Sequence, residues 1–162
     1  MELDTDFIRL ATHQDVDRIW AIRTQAILTS CAEFYAAQKV AVWADSPMPT
    51  DFADILVTLK AIVYEEKGQV LGFGFIDSDK QSLESVFVDP SHHGKGIGKA
   101  LALALQQQAI NAGITRLSLS ASLNAVPFYK RLGFIEQASH FWQHPSGVKL
   151  ECVPMTKALL SC

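Results

Sequence analysis

The amino-acid sequence predicts an α/β domain with helices in its first third, a β-meander in its middle and one strand–helix–strand unit after it. Apolar residues recur at helical spacing over residues 16–59, whereas apolar and polar residues alternate over 60–89. A glycine-rich loop and a long apolar segment follow at 93–112, and a second alternating stretch lies at 115–122. Strands that alternate with helices in this way form a sheet that is covered by helices.

The first third of the chain predicts one strand and three helices. Asp15 or Thr12 can cap the first helix, and Val16, Ile19 and Trp20 begin its apolar side. The stretch DSPMPT ends the second helix, because proline, serine and aspartate in a cluster favour a loop. The expected elements are a strand at 7–11 and helices over 16–28, within 31–44 and over 51–59.

The remainder of the chain predicts strands around one long and one short helix. A hairpin is expected at Lys67-Gly68, and Gly133 is placed to end a helix in the left-handed conformation. A further turn is expected at 144–147. The expected strands are 60–66, 69–77, 82–89, 115–122, 134–143 and 149–159, and the expected helices are 97–112 and 124–132.

Length and composition indicate one domain over residues 1–162, because 49% hydrophobic and 19% charged residues supply a sizeable core. A net charge of −3 gives no reason to expect a nucleic-acid partner, and the apolar runs are too short for a membrane span. The acidic N-terminus has no apolar signal core, and three scattered cysteines make a poor disulfide framework. We therefore expect a cytoplasmic protein, and a homodimer is left open.

Three glycines, Gly94, Gly96 and Gly98, stand between a strand and an apolar helix. Unpaired N–H groups at a helix N-terminus favour an anion, and His92, His93, Lys95 and Lys99 add local positive charge. These residues predict a phosphate-bearing ligand. The Walker pattern fails because Ala100 follows Lys99, and the dinucleotide pattern G-x-G-x-x-G fails at its third glycine. An ordinary turn, in which the glycines only permit packing, is the alternative.

Two segments in series resemble the GCN5-related N-acetyltransferase (GNAT) superfamily. VFVDPSHHGKGIGKAL, residues 86–101, resembles its coenzyme A loop, Q/R-x-x-G-x-G/A, with His93 at the first position. NAVPFYKRLGF, residues 124–134, resembles its N-x-x-A-x-x-F-Y-x-x-x-G-F segment, with Pro127 where alanine is common. The resemblance covers roughly residues 60–157. It implies a central mixed sheet flanked by helices, acetyl-CoA as co-substrate, no metal, and acetyl transfer to an amine.

The resemblance also implies a set of coenzyme-binding residues. Backbone N–H groups of residues 94–99 would hold the pyrophosphate, and the strand end would pair with the pantetheine arm. Asn124 has two interpretations: an N-cap of the helix that begins at Ala125, or a hydrogen bond to the pantetheine arm. The implied set is Val86, Phe87, Val88, His93, Gly94, Lys95, Gly96, Ile97, Gly98, Lys99, Asn124 and Tyr129.

Tyr129 and Glu84 are the candidate catalytic residues. The tyrosine of the F-Y pair lies beside the coenzyme sulfur in the family, so Tyr129 would protonate the leaving thiolate. Alternation places Glu84 on one strand face with Val86 and Val88, where an apolar setting would raise its pKa as a base requires. The alternatives are a core role for Tyr129, and an exposed position or a substrate contact for Glu84. His140 and His144 are weaker candidates for the base because they belong to a hairpin.

The acceptor should bind at the first two helices, where Cys31, Tyr35 and Trp43 are candidate contacts. The alternative is that Tyr35 and Trp43 are packed in the core. We expect direct attack by the amine of a small molecule or a peptide, without an acetyl-enzyme, and Cys31 is the cysteine that could contradict this. A non-catalytic acyl-CoA-binding or regulatory module is the second hypothesis; free thiol release separates the two.

Overall fold

The computed structural model describes residues 6–137 and 147–159, and the backbone of residues 140–143. It confirms the predicted fold class: a mixed sheet flanked by helices. The helices are α1 (Val16–Ser30), α2 (Ala37–Ala44), α3 (Phe52–Thr58), α4 (Ile97–Asn111) and α5 (Val126–Arg131). The strands are β1 (Ile8–Leu10), β2 (Ile62–Glu66), β3 (Gln69–Asp77), β4 (Ser82–Val88), β5 (Arg116–Ser122), β6 (Ile135–Glu136), β7 (His140–Gln143) and β8 (Lys149–Ala158).

The strands of the described ranges form one sheet in the order β1–β2–β3–β4–β5–β8–β6, and β7 also pairs with β8. Neighbouring strands are antiparallel except β4 and β5, which run parallel. A parallel pair needs a crossover connection, and α4 supplies it. This crossover places the glycine loop, which joins β4 to α4, at the carboxyl end of β4.

The helices cover the two faces of the sheet. Ile19, Ile22 and Leu56 of α1 and α3 pack with Val63 and Phe73 on one face. On the other face, the buried side of α4 packs with residues of β3, β4, β5 and β8; its core members are Ile97, Leu101, Leu105 and Ala109. Among the described residues, no helix is both long enough and apolar enough to cross a membrane.

Two glycines of β3 let α4 approach the sheet closely. A methyl group at Gly72 would lie 2.9 Å from Leu101 Cδ1, and one at Gly74 would lie 2.8 Å from Leu105 Cδ1. The carbonyl oxygen of Ser85 would lie only 2.7 Å from the added group at Gly74. These distances are shorter than any side chain allows, so the absence of side chains at Gly72 and Gly74 lets α4 pack this close to β3.

Several predicted boundaries differ from the structure. Residues 31–36 form turns, so the second helix occupies only the latter part of 31–44. The strand expected at 134–143 is two strands, β6 and β7, and residues 138–139 lie outside the described ranges, as do 144–146 of the expected turn. The last short helix begins at Val126 after a 3-10 turn over Leu123–Ala125. Gly133 has φ +96°, which confirms the left-handed helix end.

Candidate functional site

The parallel strands β4 and β5 diverge toward their carboxyl ends. Their register pairs Ser82 with Ser118, at the amino ends, and within the described residues no further pair follows along the strands. A cleft of about 710 Å³ opens where they separate, and Val86, Phe87, Val88 and Ser122 contribute to its walls. Ligands of α/β sheets bind outside the carboxyl ends of parallel strands, so this cleft is the candidate site.

Asp89 anchors the start of the glycine loop. It is buried, and its Oδ1 accepts hydrogen bonds from the backbone N–H of Ser91 at 3.0 Å and the Ser91 hydroxyl at 2.7 Å. Its Oδ2 accepts from Arg18 Nη2 at 2.6 Å, which joins the loop to α1. Burial by itself raises the pKa of Asp89, but these hydrogen bonds outweigh burial and lower it to about 2.

The loop places two glycines in the left-handed conformation. Gly94 has φ +82° and Gly96 has φ +80°, and a methyl group at either position would meet no atom within 4 Å. Gly96 is the N-cap of α4, and the first helical bond runs from the N–H of Ala100 to the carbonyl of Gly96 at 3.0 Å. The amides of Ile97 and Gly98 precede that bond, as the anion-binding amides of a helix N-terminus do. The loop therefore fits a phosphate group approached from its open side.

The basic residues of the loop divide into two groups. His92, His93 and Lys99 line the cleft, whereas Lys95 is exposed and is not part of its wall. His93 Nε2 lies 3.3 Å from the carbonyl oxygen of Val88, so the ring nitrogen that faces this acceptor must carry a proton. His93 thus contacts the end of β4 in this structure.

Tyr129 lies in the wall of the cleft with its ring in the core. The ring packs edge-on against Phe128 and Phe134, with centroids 5.0 Å and 5.6 Å away, and the residue is only 7% exposed. Its hydroxyl makes no hydrogen bond to another described residue. Burial raises the pKa of Tyr129 well above its ordinary value, so the hydroxyl keeps its proton at neutral pH. A buried hydroxyl without an acceptor among the described residues is suited to a hydrogen bond with a ligand.

Asn124 lies within the 3-10 turn and does not cap α5, so the N-cap prediction is wrong. The helix begins two residues later, and Ala125 occupies the cap position. The Asn124 side chain faces the cleft, where its Oδ1 accepts a hydrogen bond from Cys31 Sγ at 3.3 Å. Burial raises the pKa of the Cys31 thiol to about 11, which keeps it a neutral thiol.

Tyr35 and Trp43 do not line the cleft; both are half-buried. Their rings pack edge-on with centroids 5.9 Å apart, beside the small core of Ile27, Cys31, Val40 and Ala44. The Tyr35 hydroxyl donates to the carbonyl of Glu151 at 2.6 Å and accepts from the N–H of Leu123 at 2.9 Å. Tyr35 therefore fixes the turn that carries Asn124.

The predicted face of Glu84 is wrong because β4 contains a register shift. Phe75 pairs with Ser85, but the next residue, Ile76, pairs with Leu83, so Glu84 is passed over. Leu83 consequently shares the α4 side with Val86 and Val88. Glu84 lies in a second pocket beside α3, accepts a hydrogen bond from Ser82 Oγ at 3.0 Å, and lies 3.9 Å from Lys80 Nζ. The structure does not bring Glu84 together with Tyr129.

Other residues of the cleft were not predicted from the sequence. Ala26 and Ser30 lie one helical turn apart on α1, and this spacing is the signal that they share a face. No local signal shows that this face meets β4, since the contact depends on the order of the strands. His92 was noted only for its charge. The unpredicted wall residues are Ala26, Ser30, Phe34, His92, Ser122, Ala125, Phe128, Arg131 and Leu132.

In the part of the chain that the structure describes, no group of three His, Cys, Asp or Glu side chains is arranged to hold a metal ion.

Comparison with known families identifies the class of protein. Residues 31–159 match the model of the acetyltransferase (GNAT) domain, which is most of the chain. The chain therefore belongs to the GNAT acetyltransferase family.

Individual relatives agree with this assignment. A segment of 52 residues is 42% identical to glucosamine 6-phosphate N-acetyltransferase of Trypanosoma brucei brucei; it is 32% of this chain and about a third, 35%, of that protein. The uncharacterized N-acetyltransferase YafP of Escherichia coli K12 is 26% identical over 120 residues, which cover 74% of this chain and 75% of that protein.

Solved structures share the fold over nearly the full length. A GCN5-related N-acetyltransferase of Rhodopseudomonas palustris superposes with a TM-score of 0.89 at 25% identity, covering 98% of this chain and 99% of that one. The paiA N-acetyltransferase of Thermoplasma acidophilum, solved in complex with coenzyme A, has a TM-score of 0.73 at 17% identity and covers 93% and 97%.

Proposed function

We propose that this chain is an N-acetyltransferase that moves the acetyl group of acetyl-CoA to a primary amine of a small molecule or peptide by direct attack. The observation that carries the proposal is the position of the Tyr129 hydroxyl, in the wall of a cleft that also contains the glycine loop and the end of α1. One cavity thus combines a phosphate-binding loop, a proton donor and room for a second substrate.

The donor side of the cleft fits coenzyme A. The open loop at Gly94 and Gly96 and the amides at the start of α4 are suited to the pyrophosphate. The diverging end of β4 offers backbone groups of Phe87 and Val88 to an extended pantetheine arm, as an added strand would use them. Structural neighbours solved with coenzyme A or acetyl-CoA support this assignment of the donor.

The chemistry assigned to the site is a single displacement. The amine nitrogen forms a bond to the thioester carbonyl carbon, the carbon–sulfur bond breaks, and its electron pair leaves with sulfur. Tyr129 donates a hydrogen bond and then its proton to that sulfur, and the proton released by the amine restores the phenol through solvent. A phenol is protonated at neutral pH, and burial, which raises the pKa of Tyr129, keeps it so; the hydroxyl can therefore donate a hydrogen bond to the sulfur.

Glu84 does not enter this scheme, since it lies in the pocket beside α3. The amine therefore reacts from its neutral fraction. Direct attack is further supported by Cys31, which is buried, has a pKa raised to about 11 and donates its hydrogen bond to Asn124. A nucleophilic cysteine requires a thiolate, and this setting disfavours one.

The test is free-thiol release from acetyl-CoA with a broad panel of amines, alongside calorimetric binding of coenzyme A. The panel contains alkyl and aryl amines, polyamines, peptides with free N-termini and glucosamine 6-phosphate. We expect binding and amine-dependent thiol release. Binding with no release from any amine would contradict the proposal and favour a non-catalytic acyl-CoA-binding module. Ping-pong kinetics that disappear in Cys31→Ala would contradict direct attack.

A further inference from the structure

We infer that the acceptor is an amine whose body is uncharged and apolar or aromatic, bound between the end of α1 and Phe87. This inference rests on the proposed function and narrows it to a class of substrate.

Charge is distributed unevenly along the cleft. Its basic side chains belong to the glycine loop, the start of α4 and the last turn of α5; they are His92, His93, Lys99 and Arg131. These groups surround the end that fits the phosphates of the donor. They therefore complement the negative charge of the coenzyme phosphates and say nothing about the charge of the acceptor.

The opposite end is built from apolar and neutral groups. Ala26, Cys31, Phe34 and Phe87 supply apolar surface there. Phe34 lines the cleft and is 47% exposed, so part of its ring is open to a ligand. An aromatic ring at the wall of a cleft offers a flat surface on which an apolar or aromatic body can pack.

The polar groups at this end are neutral as well. Cys31 and Asn124 satisfy each other through the 3.3 Å hydrogen bond, and the thiol with its raised pKa carries no charge. Ser30 is the remaining neutral polar residue of α1 in the wall. A neutral amine can receive one or two hydrogen bonds here while its body contacts Phe34 and Phe87.

A cationic body would be poorly matched to the same surface. The wall residues that the structure describes include no carboxylate. A charge that enters an apolar cleft without a counter-ion loses its hydration without compensation. The net charge of the chain, −3, therefore does not indicate the charge of the acceptor.

The experiment compares three butylamines that differ only in the terminal group: 4-phenylbutylamine, agmatine with its guanidinium, and 5-aminopentanoate with its carboxylate. Thiol release from acetyl-CoA is measured with the full chain at saturating donor. We expect kcat/KM for 4-phenylbutylamine to exceed both charged analogues by about tenfold or more, the scale on which apolar pockets discriminate.

Phe34→Ala and Leu28→Ala form the matched pair of variants. Leu28, near the end of α1, is 50% exposed, close to the 47% of Phe34 in the following turn, but it does not line the cleft. Phe34→Ala should raise KM for 4-phenylbutylamine about tenfold and leave KM for acetyl-CoA within about twofold, whereas Leu28→Ala should change neither.

Higher kcat/KM for agmatine or 5-aminopentanoate would overturn the inference and leave the proposed function intact. Equal effects of Phe34→Ala on the amine and on acetyl-CoA would overturn it too, because Phe34 would then serve the donor. Coenzyme binding without turnover of any amine would instead overturn the proposed function, and the acceptor class with it.

Discussion

The ion pair between Arg18 and Asp89 ties α1 to the first residue after β4, so it should stabilise both the domain and the glycine loop. Asp89→Asn keeps the size of the side chain and removes its charge. The variant leaves the Arg18 guanidinium without its anion, in a setting where the carboxylate is only 7% exposed. We expect lower stability and weaker binding of coenzyme A.

The size of the effect follows from the pKa of Asp89, which is about 2 in the folded protein against an ordinary 3.8. A lowered pKa means that folding favours the ionised form, at about 1.4 kcal/mol for each unit. Through the hydrogen bonds from Ser91 and the ion pair with Arg18, the charge of Asp89 therefore contributes about 2 kcal/mol to the free energy of unfolding. This contribution is complete above pH 3.8 and is lost as pH falls toward 2.

Urea unfolding of the wild type and of Asp89→Asn at pH 7, 5 and 3 measures this contribution. The difference in free energy should be about 2 kcal/mol at pH 7 and pH 5 and clearly smaller at pH 3. Asp79→Asn, at an exposed turn residue, is the matched control and should change little. A difference that stays constant down to pH 3, or one below about 0.5 kcal/mol at pH 7, would refute the stabilising role of the Asp89 charge.

Three further variants test separate parts of the account. Gly96→Val should abolish calorimetric binding of coenzyme A and lower the free energy of unfolding by on the order of 1–3 kcal/mol, in a domain that still folds. Gly113→Val, at a similar φ of +84° after the C-terminal end of α4, should have a similar cost in stability but keep binding. Binding by both variants would show that the loop is not part of the site. Glu84→Gln should change kcat less than about threefold. A loss near 10²-fold would instead support Glu84 as the general base. Tyr35→Phe leaves the N–H of Leu123 without its acceptor and should lower the free energy of unfolding by about 1–3 kcal/mol in urea titrations; an unchanged midpoint would show that water replaces the hydroxyl.

The parts of the fold that were predicted correctly have local signals. The hairpin at Lys67-Gly68 and the helix end at Gly133 depend on glycine conformations that can be read from a few neighbouring residues. The long apolar run of α4 likewise signals a helix with much buried surface. The need for glycine at positions 72 and 74 could not be predicted, because it comes from contact with side chains of α4, which lies some 30 residues away in the sequence.

The candidate site shows the same division. The glycine loop and the F-Y pair are contiguous motifs, and the structure places both in one cleft. The error at Glu84 comes from a single extra residue in β4, which reverses the face of each side chain before it. The error at Asn124 comes from a 3-10 turn that delays α5, and nothing in the local sequence distinguishes that turn from a first helical turn.

The most direct test of the central claim is the rate of acetyl transfer by Tyr129→Phe in a single turnover, measured with coenzyme affinity and thermal stability. The substitution removes only the hydroxyl and keeps the ring packing against Phe128 and Phe134. We predict a loss in the rate of transfer on the order of 10²- to 10⁴-fold, with affinity for coenzyme A within about twofold and a normal melting temperature. A rate equal to that of the wild type, in a variant that binds and melts normally, would contradict the assignment of Tyr129 as the proton donor.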